Sequence, residues 1–206
     1  MAYRPYRRSG INPIWVLIGV NFVIFLAITI EGYGSGQSII PTKFGLNPSQ
    51  LAQEWWTPFT YMFVHADFFH LLFNMITLYF FGTFVIGLVG ETVFLTTYFI
   101  GGIIGGLMYV LLSYVPIGYF ELTHFSNVIG ASGAIFALGG LLMVMRPNIR
   151  VLMFFAIPMP LWVAILIGFA LVAFNASRIA WQAHLGGLLY GAVVGYYYRQ
   201  REYRRY

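Results

Sequence analysis

Ser132, within Gly130-Ala131-Ser132-Gly133, and His184, within Ala183-His184, are the residues of this chain best suited to making and breaking a covalent bond. A hydroxyl becomes a usable nucleophile when an adjacent base takes its proton, and imidazole is suited to that task near neutral pH. Both residues lie in apolar stretches long enough to cross a bilayer. An ionisable group there is expensive to keep and is by default a functional feature. The chemistry these residues suggest is acyl transfer. Asp67 is the only aspartate, while Glu31, Glu54, Glu91, Glu121 and Glu202 fall at helix ends or in loops. No carboxylate has an evident route to His184. Burying one would carry a large desolvation cost, so a Ser–His dyad is expected rather than a triad.

Acyl transfer also needs hydrogen-bond donors where negative charge develops. Asn74 follows His70 by four residues, which puts both on one helix face. Ser132 opens an apolar stretch, and the first N–H groups of a helix have no intrahelical partner. His70, Asn74 and the Ser132 amide therefore form a candidate oxyanion hole. The competing reading makes His70 and Asn74 an interhelical polar clamp. Metal chemistry is not expected. His65 and His70 are five residues apart and would diverge on one helix, no His-Glu-x-x-His spacing occurs, and the chain has no cysteine.

Helices must position these groups. The composition is 60% hydrophobic and only 8% charged, against about 25% charged in an ordinary soluble domain. Six apolar stretches, at 12–31, 59–86, 92–114, 129–146, 151–174 and 181–198, each approach the roughly 20 residues needed to cross a bilayer. The expected fold is an all-α polytopic membrane protein, a six-transmembrane-helix bundle over 12–198. Basic segments at 1–11 and 199–206 flank it. The first stretch reads as a transmembrane helix rather than a cleaved signal. The long second stretch should begin in the interface. Pro158 and Pro160 should bend the start of the fifth or leave it interfacial.

Arg4, Arg7, Arg8, Arg146, Arg150, Arg199, Arg201, Arg204 and Arg205 fall on one side of this topology, and only Lys43 and Arg178 on the other. That bias places both termini in the cytoplasm and opens the site toward the opposite face. The net charge of +5 is thereby explained by topology and anionic headgroups, without nucleic acid. The outward loop from Gly32 to Pro58, with Trp55 and Trp56, should be ordered and dip partly into the outer leaflet, although an interfacial aromatic belt would look the same.

Small residues explain how the dyad could meet. His184, Gly187, Gly191 and Gly195 share one helix face, while Gly133 and Ala137 follow Ser132. Such stripes let two backbones approach closely, which would bring Ser132 within reach of His184. The third-stretch glycines, Gly101, Gly102, Gly105 and Gly106, are expected only to pack helices.

Across nearly its whole length the chain resembles the rhomboid intramembrane serine proteases. The matching strings are His65-x4-His70-x3-Asn74, Gly130-Ala131-Ser132-Gly133 and Ala183-His184-x2-Gly187-x3-Gly191. Each is weak alone, but their order and helix assignment are specific together. The resemblance implies Ser132 as nucleophile and His184 as general base. Oxyanion or substrate contacts would come from His70, Asn74 and the backbone of Gly130 and Ala131, with Gly133, Phe136, Gly187 and Gly191 in support. It implies transmembrane protein substrates that enter laterally from the lipid bilayer, no cofactor, and residence in a plasma (inner) membrane. The connection from Phe174 to Trp181, with the fifth helix, would form a gate. Two positions depart from the family pattern. Thr57 follows Trp56 where arginine is frequent, and Phe136 stands where some relatives have tyrosine.

An inactive, client-binding relative is the first alternative, but such proteins usually lose the serine or histidine. A small transporter would show repeats or broken helices around a midplane site, and no repeat is evident.

A helical substrate must expose its backbone to be cut. Glycine is about 1 kcal/mol less favourable than alanine within a helix, so small residues before the cleaved bond and helix-destabilising ones beyond it should speed cleavage. Equal rates on a glycine-containing segment and a uniform leucine segment would contradict this expectation.

Overall fold

The computed structural model describes residues 10, 12–33, 38–116, 124–153, 156–174 and 180–204. Its elements are α1 (Pro13–Gly32), α2 (Ile40–Phe44), α3 (Thr57–Thr60), α4 (Phe68–Val89), α5 (Glu91–Ser113) and α6 (Ser132–Met145). They continue with β1 (Arg150–Met153), β2 (Ile157–Pro160), α7 (Leu161–Phe174) and α8 (Trp181–Tyr203). Each of the six apolar stretches contains one helix of 14 to 23 residues. Of these, α1, α4 and α5 are each long and apolar enough to cross a membrane. Arg4, Arg7, Arg8, Glu121, Arg178 and Arg205 lie outside the described residues, as does most of the Phe174–Trp181 connection.

Local signals set the helix ends. Asn12 caps α1 by accepting from Ile14 N–H at 3.0 Å, and Pro13 occupies the first turn, where its missing N–H costs nothing. Asp67 caps α4 by accepting from His70 N–H at 2.9 Å. A single residue, Gly90 at φ 92°, reverses the chain between α4 and α5. That backbone conformation favours glycine.

Two stretches differ from the sequence expectation. The second is not one continuous helix: α3 and a 3₁₀ turn at Tyr61–Phe63 precede an extended break, and α4 begins only at Phe68. The fifth opens as an antiparallel hairpin, Arg150 opposite Pro160 and Met153 opposite Ile157. Pro158 and Pro160 bar a helix there but are compatible with edge strands, and α7 begins immediately after Pro160.

The centre of the bundle is α6. It packs against α4, α5, α7 and α8 and buries Gly133, Ala134, Ile135, Ala137, Leu138, Gly139, Gly140, Leu141, Leu142 and Met145. Its 14 residues span about 21 Å at 1.5 Å per residue, short of a roughly 30 Å hydrocarbon core. A non-helical segment leads into Ser132. Irregular backbone at such depth is tolerable only where protein encloses it, and Val128, Gly130 and Ala131 are indeed buried. Large apolar side chains such as Trp15, Val23, Phe69, Phe73, Leu111 and Val193 point outward, as expected of a lipid-facing surface.

Glycine stripes weld α6 to its neighbours. A Cβ on Gly187 would collide with the Gly133 carbonyl, one on Gly191 with the Ala137 carbonyl, and one on Gly195 would lie 2.6 Å from the Leu141 carbonyl oxygen. From the α6 side, Gly140 abuts the Leu188 carbonyl. The α5 glycines pack as expected: Gly101 meets Ala137, Gly102 meets Met62, and a Cβ on Gly105 would lie 2.5 Å from the Ala183 carbonyl oxygen. At the far end, Arg146 grips Glu202 with both nitrogens, at 2.9 and 2.6 Å. The guanidinium holds the Glu202 carboxyl below the usual carboxylate range.

Gly191→Ala should lower stability by at least the roughly 1–3 kcal/mol typical of overpacking, because its obstacle is backbone. Gly19→Ala, with nothing within 4 Å of the added carbon, should be neutral or stabilise by up to about 1 kcal/mol. Thermal unfolding of both variants in detergent would test the contrast.

Candidate active site

The α6–α8 contact carries Ser132 to His184. Ser132 opens α6 and is half-buried, while His184 lies in the first turn of α8 and is buried. His184 Nε2 and Ser132 Oγ are 2.6 Å apart. If the hydroxyl donates, Nε2 must be unprotonated and the ring proton sits on Nδ1. That Nδ1 is buried and has no hydrogen-bond partner among the described residues. The carboxylates in the described residues are engaged elsewhere or distant in the fold: Glu54 pairs with Lys43, Glu202 with Arg146, Glu31 accepts from Ser38, Asp67 caps α4, and Glu91 opens α5. The pair is a dyad.

The imidazole is held by stacking instead. Phe136, one turn after Ser132, lies with its ring 4.8 Å from that of His184 at 33°. Phe169 from α7 packs edge-on against Phe136 at 6.1 Å. Loss of a tyrosine hydroxyl at position 136 therefore leaves the stacking in place.

His70 approaches from α4. Its Nδ1 accepts from Ala66 N–H at 3.4 Å, which leaves the ring proton on Nε2. A side chain on Gly130 would stand 2.7 Å from that Nε2 and 3.7 Å from Ser132 Oγ. The absent Cβ thus keeps open the gap between His70 Nε2 and Ser132 Oγ, and the φ of 117° at Gly130 favours glycine independently. Asn74, one turn further along α4, is buried and gives one N–H to the His70 carbonyl at 2.8 Å. Its second N–H has no partner among the described residues.

Two backbone donors are already committed. Gly130 N–H donates to the Tyr61 carbonyl at 2.9 Å, and Ala131 N–H points at His65 Nε2 at 3.4 Å. Gly130 and Ala131 therefore shape the approach to Ser132, while the free backbone donors begin at Ser132 itself. Ala131 gives α6 no side-chain cap, so that helix end keeps unpaired N–H groups and a positive partial charge.

His65 and His70 do not diverge, contrary to the single-helix assumption: their rings meet edge to face at 4.9 Å. His65 precedes α4, and the break at Val64–Asp67 folds its ring back. Residue type and spacing assign no role to Tyr61 either. Its hydroxyl donates to the Gly102 carbonyl at 2.7 Å and its ring fills the slot left by Gly106. Nothing local marks Tyr61, because its partners are 41 residues away or more.

A family profile described as Rhomboid domain matches residues 52–201. The chain belongs to the rhomboid family. It is similar to Rhomboid protein 1, mitochondrial, of Saccharomyces cerevisiae, at 34% identity over 66% of this chain and 39% of the yeast protein. It is also similar to the rhomboid protein YdcA of Bacillus subtilis, at 33% identity over 80% of this chain and 78% of that protein. RHOMBOID-like protein 12, mitochondrial, of Arabidopsis thaliana is 30% identical over 72% of this chain and 48% of its own length. The chain thus spans less than half of the yeast and plant rhomboids it matches. It is a membrane protein of a family characterised by intramembrane proteolysis, and all the strings that carry the resemblance fall inside the matched rhomboid domain.

Gly130→Ala should lower turnover roughly a hundredfold, the scale of loss expected when reacting groups are displaced by about 1 Å. His184 and Ser132 remain unchanged in that variant. Cleavage rates measured well below its unfolding temperature would test this.

Proposed function

We propose that this rhomboid is an intramembrane serine endopeptidase acting on transmembrane segments of other proteins. The observation that carries the reading is the 2.6 Å approach of His184 Nε2 to Ser132 Oγ at the uncapped start of α6. His184 takes the Ser132 proton as Oγ attacks a peptide carbonyl carbon, and the resulting oxyanion accepts from the Ser132 N–H, His70 Nε2–H and Asn74. His184 then protonates the leaving amine, leaving an acyl group on Ser132. A water molecule, deprotonated by His184, attacks the acyl carbon and restores the serine.

Support for the oxyanion donors is geometric: the proton of His70 is left on Nε2, beside the gap at Gly130. Gly133, Gly187 and Gly191 keep the two helices close, and Phe136 holds the imidazole plane. No step calls for a metal or cofactor. The arginine bias supports both termini in the cytoplasm and a site open to the opposite face of a plasma (inner) membrane. The yeast and Arabidopsis relatives are named as mitochondrial, so fractionation of the native cell tests that assignment. In this reading residues 12–198 form the protease domain, flanked by basic segments.

Purified protein treated with a fluorescent fluorophosphonate should label in the wild type and not in Ser132→Ala or His184→Ala. Asn74→Ala should retain labelling with turnover reduced, by no more than the roughly 3–4 kcal/mol that a single oxyanion donor supplies. A folded wild type that does not label would favour an inactive, client-binding protein.

A further inference from the structure

The segment that delivers Ser132 is held from outside by a polar link that the dyad does not use. Leu46 and Val128 form an isolated antiparallel bridge, with Leu46 N–H donating to the Val128 carbonyl at 3.0 Å and Val128 N–H returning to Leu46 at 2.9 Å. Next to it, Asn47 is buried and its side chain is used at both ends. Its Nδ2 donates to Asn127 Oδ1 at 2.8 Å and to the Phe125 carbonyl at 3.4 Å. Its Oδ1 accepts from Ser49 N–H at 3.0 Å and Ser49 Oγ at 2.8 Å, capping the 3₁₀ turn Pro48–Gln50.

From Asn47, therefore, one amide ties the long first loop to the strand-like approach of α6. Two residues past Val128, Gly130 is anchored again through the Tyr61 carbonyl. Ser132 follows after one more residue. We infer that Asn47 is a positioning residue: through Asn127 and Phe125 it fixes the backbone that sets Gly130 against His70 and aims the Ser132 N–H and Oγ. The inference rests on the protease reading above. It predicts an effect on the chemical step and not on substrate affinity, because the Asn47 side chain is buried and bonded within the chain while the Gly130 gap lies between His70 Nε2 and Ser132 Oγ. Small displacements of reacting groups cost rate steeply.

The test uses the full-length protein in detergent and a fluorogenic peptide carrying a glycine-containing transmembrane segment. Asn47→Ser keeps a capping oxygen for Ser49 but is too short to reach Asn127. Asn127→Asp keeps the acceptor for Asn47 Nδ2. Asn47→Ser should lower kcat about ten- to a hundredfold with KM within about twofold, and the deficit should persist when the assay is run well below its Tm. Asn127→Asp should stay within about threefold of wild type, since the link survives. Asn127 is exposed, so Asn127→Leu removes the 2.8 Å leg of the link, together with the 3.4 Å bond from Asn127 Nδ2 to the Pro41 carbonyl, without disturbing the core, and should reproduce the drop even where Asn47→Ser fails to fold. Wild-type kcat in the link-breaking variants, a rise in KM alone, or a deficit that vanishes on cooling would overturn the inference. In each of those cases the labelled, active wild type leaves the protease reading standing. A wild type that neither labels nor cleaves would overturn both.

Discussion

Backbone-to-backbone contact between α6 and α8 is the constraint on which the rest of the molecule depends. At Gly187 and Gly191 the carbonyls of Gly133 and Ala137 occupy space that any side chain would claim, and the Leu141 carbonyl presses less tightly on Gly195, at 2.6 Å from an added Cβ. In lipid, helices gain little from burying apolar surface against one another, because the surrounding chains are equally apolar. Close packing and satisfied polar contacts must do that work. Here they bring two helices near enough for a short serine side chain to touch a histidine across the interface. The Ser132–His184 contact is thus a consequence of packing.

The shortness of α6 solves a second problem. A hydrolytic site inside a bilayer needs a polar, irregular stretch of backbone at depth, which lipid cannot solvate. The chain provides it by starting α6 late. The approach from Phe125 to Ala131 is braced by the first loop, by Tyr61 and by the ring of His65, each taking a hydrogen bond from it or giving one to it, and it is buried at Val128, Gly130 and Ala131. What remains uncommitted is the start of α6 itself, whose unpaired N–H groups and positive partial charge suit a developing oxyanion. The donors consumed by the frame and the donors left for chemistry are divided between neighbouring residues.

Around this centre, α5 acts as a second template. Gly101 admits the Ala137 side chain of α6, Gly105 admits the α8 backbone at Ala183, and Gly102 and Gly106 admit Met62 and Tyr61 from the segment before α4. Tyr61 consequently connects three layers: its hydroxyl reaches α5, its carbonyl holds Gly130, and a Cβ on Gly133 would lie only 2.9 Å from its oxygen. The arrangement shows how His184, with no carboxylate against it among the described residues, is kept oriented. Phe136 and Phe169 set the ring from one side, and close packing of Ala183 against Gly105 sets its helix from another.

The residue pattern by itself determined the membrane class, the helical stretches, the choice of Ser132 and His184 as the candidate pair, and the small-residue face that could join them. Those features are local: hydropathy, helical periodicity and spacing are all readable within one or two turns. Tertiary structure decided what depends on contacts across long separations. The hairpin at Arg150–Pro160 and the break before α4 appear only when Pro158, Pro160 and the Val64–Asp67 segment are seen in place, and that break is why His65 meets His70 instead of diverging from it. The commitment of the Gly130 and Ala131 N–H groups, and the roles of Tyr61 and Asn47, were likewise invisible. Asn47 lies 80 residues from Asn127, and no periodicity in a sequence encodes a hydrogen bond between two loops. Chain composition chose the chemistry available to this protein, and packing decided which of its atoms are free to perform it.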